Sequence, residues 1–180
     1  TVYKDGKPLL IDLGVETYTR KTFSPQRYEI WTMQSSWHNL PSFGEVMQSD
    51  GATYRAQDIT VHSSDTVSSI SMDIAQAYPQ DAHVESYRRT LTLEKNSSLV
   101  MTDVHKGLIA PTLNLMFSRE PVCTPDGIIV DGTHITIEVD NLQMSQEKIP
   151  ITDSRLAPAW SPYVWRVRIP FTDTLTMRIL

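Results

Sequence analysis

Side chains alternate in polarity along almost the whole chain, and glycine, asparagine, aspartate or proline interrupts the alternation at short intervals. A strand turns successive side chains to opposite faces, so a period of two buries one face of a sheet and leaves the other to water. A helix would need an apolar stripe of period 3.6. No segment carries that stripe convincingly; Asp73–Tyr78 is the one helix-tolerant piece, and it is short. The spacing predicts strands over Thr1–Tyr3, Pro8–Asp12, Tyr28–Gln34, Ser42–Gln48, Ala52–His62, Thr66–Ala77, Val84–Lys95, Ser98–His105, Thr112–Arg119, Gly127–Asp131, Thr133–Asp140, Leu142–Ile151, Tyr163–Pro170 and Leu175–Leu180. Asp5–Gly6 suits a type I′ turn, whose central residues both need positive φ. Ser49–Asp50–Gly51, Asn96–Ser97 and Asp131–Gly132 are further hairpin signals. About a dozen strands with turns every 8–12 residues or so is the pattern of an antiparallel sandwich or barrel. One sheet of that many strands would curl or split. The expected fold is all-β: a large antiparallel two-sheet β-sandwich, of the super-sandwich type, over residues 1–180 as a single domain. The irregular stretch Leu13–Gln26 and the proline-rich Ala157–Pro162 are expected as loops inside that domain.

A hydrophobic content of 40% and a charged content of 21% over 180 residues suit one globular domain with its own core. No apolar run approaches the ~20 residues of a membrane-spanning helix. The net charge of −5 argues against the broad basic face of a nucleic-acid binder. Neither nucleic acid nor membrane is therefore an expected partner. Positive charge gathers locally at Arg20, Lys21 and Arg27, and again at Arg88–Arg89; both groups are expected to be solvated. Cys123 is the only cysteine, so no internal disulfide can form, and no base adjoins it in sequence. It is expected as buried or edge-strand filler. The chain opens directly in strand, without an initiator methionine or a basic-then-apolar leader, and reads as processed or as part of something longer.

Candidate chemistry is sparse. There is no glycine-rich phosphate loop and no Gly-x-Ser-x-Gly elbow. The five histidines include no His-x-His pair, the spacing that would put two ligands on one strand face. His62, His83, His105 and His134 read as surface or capping residues. His38 differs by context: it follows an apolar segment and Trp37, and precedes Asn39 and Pro41. A fold that brings it to Asp12 would make an acid–histidine pair, two of the ligands that zinc requires. Trp31 and Trp165, in alternating strands, are expected in the core, although the aromatic residues could also form a sugar-stacking platform.

The order of several pieces resembles a known family. A hairpin ending in LLIDLG is followed by a tyrosine-bearing loop, then by RYEIWTMQSSWHNLPSFGEVMQSDG, a strand with SYRRTLTL and a late YVWRVRIPF. The Asp-x-Gly followed by His-Asn, ahead of Gly44 to Gln48, is the most specific part. Together these resemble the C-terminal β-sandwich of the heparinase II/III-like polysaccharide lyases, over nearly the whole chain. The resemblance implies a parent in which an N-terminal α-toroid shares a cleft with this sandwich. That parent would perform β-elimination on an acidic, uronate-containing polysaccharide in the bacterial periplasm or outside the cell. It implies that Asp12 and His38 match two ligands of a zinc site whose third ligand, a histidine, lies upstream of Thr1. The catalytic Asn and Tyr would come mainly from the toroid, so no catalytic residue is expected within residues 1–180. Tyr18, Arg20 and Asn39 are the expected contacts to sugar. The other reading is a non-catalytic carbohydrate-binding or scaffold sandwich, with the aromatics, Arg20 and Arg27 as contacts.

Overall fold

A computed structural model describes all 180 residues, Thr1–Leu180. The strands are β1 (Val2–Lys4), β2 (Lys7–Leu10), β3 (Pro41–Phe43), β4 (Gln57–Ser63), β5 (Val67–Asp73), β6 (Val84–Glu94), β7 (Ser98–Gly107), β8 (Pro111–Phe117), β9 (Val122–Thr124), β10 (Gly127–Val130), β11 (Thr133–Glu138), β12 (Ser145–Pro150), β13 (Tyr163–Pro170) and β14 (Thr174–Ile179). A six-stranded sheet runs β1-β2-β8-β13-β12, with β3 paired to β8 on the edge that β2 also uses. An eight-stranded sheet runs β4-β5-β6-β7-β14-β11-β10-β9. Every pairing is antiparallel, so the fold is the all-β two-sheet sandwich expected from the alternation. Asp5–Gly6 and Asp131–Gly132 both take positive φ, as type I′ hairpins require.

The period of two explains the core. Leu113, Leu115 and Phe117 of β8 and Trp165, Val167 and Ile169 of β13 point inward, against Ile135 and Ile137 of β11 and Leu175, Met177 and Ile179 of β14. Burying an aliphatic side chain of this size contributes about 1.5–3 kcal/mol. Of the two expected core tryptophans, Trp165 is buried there, whereas Trp31 lies at the margin of a smaller cluster. The intervening residues of the same strands, Met116 and Val164, face the other way. They meet Ile11, Leu13, Ile151 and Leu156, so the six-stranded sheet is covered on both faces.

The cover on that second face is not the strand expected over Tyr28–Gln34. Pro25–Glu29, Trp31–Met33 and Ser35–Trp37 are three successive 3₁₀ turns, forming a strap across the sheet. Ser24 starts the first of them by accepting the Gln26 N–H at 3.1 Å, and Pro25 follows with its φ already set. Side chains three apart eclipse in a 3₁₀ turn. Thr32, Ser35 and His38 therefore face the protein as one row, and Trp31, Gln34 and Trp37 form another; the two indoles meet edge-on at 5.1 Å. The segment alternates in polarity, but tertiary cover rather than a ladder takes its apolar groups. Several more strands are shorter than expected; Thr66–Ala77 ends at Asp73 and Leu142–Ile151 begins at Ser145. Ser42–Gln48 becomes β3 and a tight return in which Val46 bridges to Phe43. Ala52–His62 begins only at Gln57, because its partner β5 ends at Asp73, opposite Gln57, and leaves earlier residues nothing to pair with. In the expected loop at Ala157–Pro162, Ala157–Trp160 forms a single α-helical turn.

Candidate functional site

The strap delivers His38 to Asp12. Asp12 follows β2, where the chain leaves the sheet, and His38 closes the last 3₁₀ turn, so residues 26 apart in sequence meet at the sheet margin. The His38 Nδ1 and Asp12 Oδ2 are 2.9 Å apart, and the His38 Nε2 is 3.1 Å from the Thr32 carbonyl. The other carboxylate oxygen, Asp12 Oδ1, accepts the Gly14 N–H at 3.0 Å. Both neighbours of the imidazole are acceptors, so both bonds form together only when both ring nitrogens carry protons. The electrostatics agree. The hydrogen bond from His38 holds the Asp12 carboxyl down at about 2. The bond to Asp12 raises His38 above its usual range, against the opposing effect of partial burial. With His38 protonated the pair is an imidazolium–carboxylate bridge at the surface, with the Asp12 side chain about half exposed.

That donor set does not fit a metal ion as it stands. A ligating imidazole offers a lone pair, and here each nitrogen faces an oxygen that accepts a hydrogen bond instead. No third His, Cys, Asp or Glu joins the pair.

Asn39, expected as a sugar contact, is turned inward. Its Nδ2 donates to the Ile11 carbonyl at 2.9 Å and its Oδ1 accepts the Met116 N–H at 2.8 Å, which stitches the strap to β8. Its own carbonyl accepts Arg89 Nη1 at 2.6 Å. Arg89 itself departs from expectation: it is buried, not solvated. Its Nε and Nη2 bond the two Asp103 oxygens at 2.7 and 2.6 Å, and the Tyr87 hydroxyl donates to Asp103 at 2.7 Å. Burial opposes the guanidinium charge, but Asp103 beside it more than offsets that and keeps it protonated. Burial pushes the Tyr87 phenol up, with the Asp103 charge adding to it, so Tyr87 stays a donor. His105 is buried too, against expectation, with its Nδ1 2.9 Å from the Thr172 carbonyl and its ring near Phe43 and Tyr87. Period-two reading missed this polar core, although hairpin register could have found it: Arg89 and Asp103 lie seven residues either side of Asn96 and are direct cross-strand partners.

The remaining predicted contacts sit in the loop before the strap. Tyr18 is exposed, edge-on to Phe23 at 5.4 Å and under the Arg155 guanidinium at 4.2 Å. Arg20 is exposed and precedes a separate 3₁₀ turn, Lys21–Phe23, ahead of the strap. Cys123 is exposed on the edge strand β9, and burial of its surroundings pushes the thiol up. Two clefts flank the strap. One, of about 280 Å³, is lined by Trp31, Trp37, Ile151, Leu156 and Glu16, whose carboxylate accepts the Trp31 indole N–H at 2.6 Å. The other lies across Trp37 and is polar, lined by Asn114, Arg166 and Arg168.

No known protein family matches the chain by sequence profile, and no curated protein matches it by sequence. Solved structures do match its fold. A crystal structure of heparinase III is 16% identical, with a TM-score of 0.65, over 99% of this chain and 28% of that one. A heparinase III gene product is 14% identical with a TM-score of 0.69, over 97% of this chain and 28% of that one. The heparan sulfate lyase HepC from Pedobacter heparinus is 12% identical with a TM-score of 0.66, over the same shares. At such identities the likeness is one of fold: residues 1–180 fold as the β-sandwich portion of heparinase III-type structures that they span.

Proposed function

We propose that residues 1–180 form the C-terminal β-sandwich of a heparinase II/III-like polysaccharide lyase. The observation that carries this reading is the asymmetry of the match: nearly all of this chain superposes on 28% of each lyase. The sandwich would form one wall of a cleft whose other wall is an α-toroid. An acidic polysaccharide would lie between them, in the periplasm or outside the cell. The reaction is β-elimination: the α-proton of a uronic acid is removed and the glycosidic bond at C4 breaks, leaving an unsaturated uronate. Such a proton is accessible only when the developing charge on the carboxylate is stabilised. This chain supplies cationic and hydrogen-bonding groups at its margin, and His38 there is already engaged on both nitrogens. On this reading the base comes from the toroid, and the isolated sandwich is expected to be inactive. Zinc in the parent would need His38 to release Thr32 and a further ligand from outside these residues, so the 180-residue chain should show no micromolar zinc binding by calorimetry.

The activity test is the ultraviolet absorbance of unsaturated uronate. Residues 1–180 alone should produce none from heparan sulfate, whereas the same chain joined to its native N-terminal helical region should. Product from the sandwich alone, or none from the joined protein on any uronate polymer, would overturn this reading. A second reading, a carbohydrate-binding sandwich without catalysis, is favoured by the cleft that Trp31 and Trp37 line, since indole faces stack well on sugars. It predicts that a Trp31→Ala variant loses retention on a polysaccharide affinity gel while the full protein forms no unsaturated product.

A further inference from the structure

The strands at the open edges of the two sheets are β1, β3 and β12 in the smaller and β4 and β9 in the larger. An open edge presents unpaired N–H and C=O groups, and proteins blunt such edges with short strands, proline or exposed charge. All but one of these edges are blunted so. β1, β3 and β9 are three residues long; β3 begins at Pro41, and β9 lies between Pro121 and Pro125. β12 carries Glu147, Lys148 and Pro150. β4 is different. At seven residues it is the longest of them, every residue is exposed, and it holds no lysine, arginine or proline. Its centre, Ile59–Thr60–Val61, is β-branched throughout, which suits a ladder. Ile59 is 56% exposed and Val61 72%.

Register shows what this edge offers. The Ser64 N–H donates to the Val67 carbonyl at 2.8 Å where the β4–β5 hairpin closes. Bonded and unbonded pairs alternate along an antiparallel ladder. His62 and Thr60 therefore bond to Ser69 and Ser71, whereas Ser63 and Val61 turn their backbone groups outward. The Ile59 carbonyl, opposite in direction to the Thr60 N–H of the same planar peptide, also points outward. A bulge, with Asp58 at φ +48°, interrupts the pairing to β5 only near the start of the strand.

This edge is self-complementary about Thr60. Laid antiparallel on a copy of itself with Thr60 facing Thr60, it sets Ile59 across from Val61 and Asp58 across from His62, each twice. The Asp58 carboxylate is available for this, since its side chain is 76% exposed and its ion pair with Arg88 is 3.9 Å long. Centring the pair on Val61 instead would leave Asp58 and His62 without each other.

We propose that β4 is a dimerisation edge: two copies of this chain pair antiparallel about a two-fold axis at Thr60, joining their larger sheets. The Val61 N–H of each copy donates to the Ile59 carbonyl of the other. Each Asp58 carboxylate accepts from the imidazole of the partner's His62, and the exposed Ile59 and Val61 side chains gain each other as neighbours. The two-fold axis uses the β4 edge of both copies, so assembly closes at two. This dimer is independent of the lyase reading.

The test is sedimentation equilibrium of the 180-residue chain from low micromolar to near-millimolar concentration. A reversible equilibrium between monomer and dimer, with no larger species, is expected. Val61→Pro removes an N–H that β5 does not use, so the thermal midpoint should stay near that of the parent chain. Association should weaken about tenfold or more, the loss of the backbone bonds that this N–H makes across the axis. His62→Asp sets like charges opposite each other and should weaken association roughly fivefold without touching the ladder to β5. Thr60→Cys, combined with Cys123→Ser, should form a disulfide between copies under mild oxidant. It should do so faster than Val61→Cys in the same background, because Thr60 faces its counterpart at the close spacing of an unbonded pair. A monomer at every concentration would overturn the proposal, as would a dimer that Val61→Pro or His62→Asp leaves at full strength, or faster crosslinking at Val61.

Discussion

Two acid–base pairs hold the same stretch of backbone from opposite sides, and they differ in almost every physical respect. Arg89–Asp103 is buried between the sheets, doubly bonded, and donates to the Asn39 carbonyl. Asp12–His38 lies at the surface, joined by one hydrogen bond, on the residue immediately before Asn39. Arg89 keeps its charge across the ordinary pH range, because Asp103 beside it more than offsets the effect of burial. The surface pair can change its charge. One fixes where the strap ends; the other can only adjust how firmly its last residue is held. The lesson is that the position of the candidate site is set by the polar core, not by the surface pair that draws the eye in sequence.

The largest effect should come from breaking the buried pair on one side. Arg89→Ala leaves the Asn39 carbonyl without its donor and the buried Asp103 with only the Tyr87 hydroxyl, and should cost about 3–5 kcal/mol in urea denaturation. Replacing both partners with apolar residues of similar size, Arg89→Met with Asp103→Leu, should recover most of that loss. A single variant as stable as the parent chain would show that water reaches the pair. The comparison is sharpened by Asn39→Ala, which removes two side-chain bonds at the strap end, those to Ile11 and Met116. Leaving those two backbone groups unpaired should cost on the order of 1–3 kcal/mol. Loss of binding without loss of stability in this variant would instead restore Asn39 as a ligand contact.

How much of this was legible follows from period and register. Hairpins such as β6–β7 and β10–β11 declare themselves, because alternation and turn residues act locally and agree. The strap was illegible to a reading of period two. Tyr28, Ile30 and Thr32 alternate with Glu29, Trp31 and Met33, as in a strand, but no neighbouring edge offers them a ladder. Its own signals were Ser24–Pro25, a turn start, and residues recurring at three: Thr32, Ser35, His38 and Trp31, Gln34, Trp37. Arg89 was misread for a different reason. Type alone places arginine outside, and only the cross-strand partner Asp103 makes burial tolerable. The meeting of Asp12 and His38 was anticipated from family likeness, whereas the inward turn of Asn39 had no sequence signal, since either role suits an asparagine.

The smallest effect, and the one that separates the two pairs most cleanly, is the pH dependence of His38→Ala. Asp12 has its carboxyl lowered from 3.8 to about 2, so its contribution is present above its unfolded value and is lost as pH falls through about 2. His38 is raised above its unfolded value of 6.5, so its contribution is complete below 6.5 and is lost as pH rises through the higher folded value. Both contributions coincide from about pH 4 to 6.5, and the difference in thermal midpoint between the parent chain and His38→Ala should be widest there. Above that window the ring loses a proton. It can then donate to Asp12 or to Thr32 but not to both, and the difference should shrink. Asp12→Asn should flatten the same profile, because it removes the charge that raises His38. The Arg89 charge, by contrast, stays fixed across that range. A His38→Ala difference that does not vary with pH would mean that the imidazole acts there only as a packed ring, leaving the buried pair as the sole electrostatic anchor of the strap.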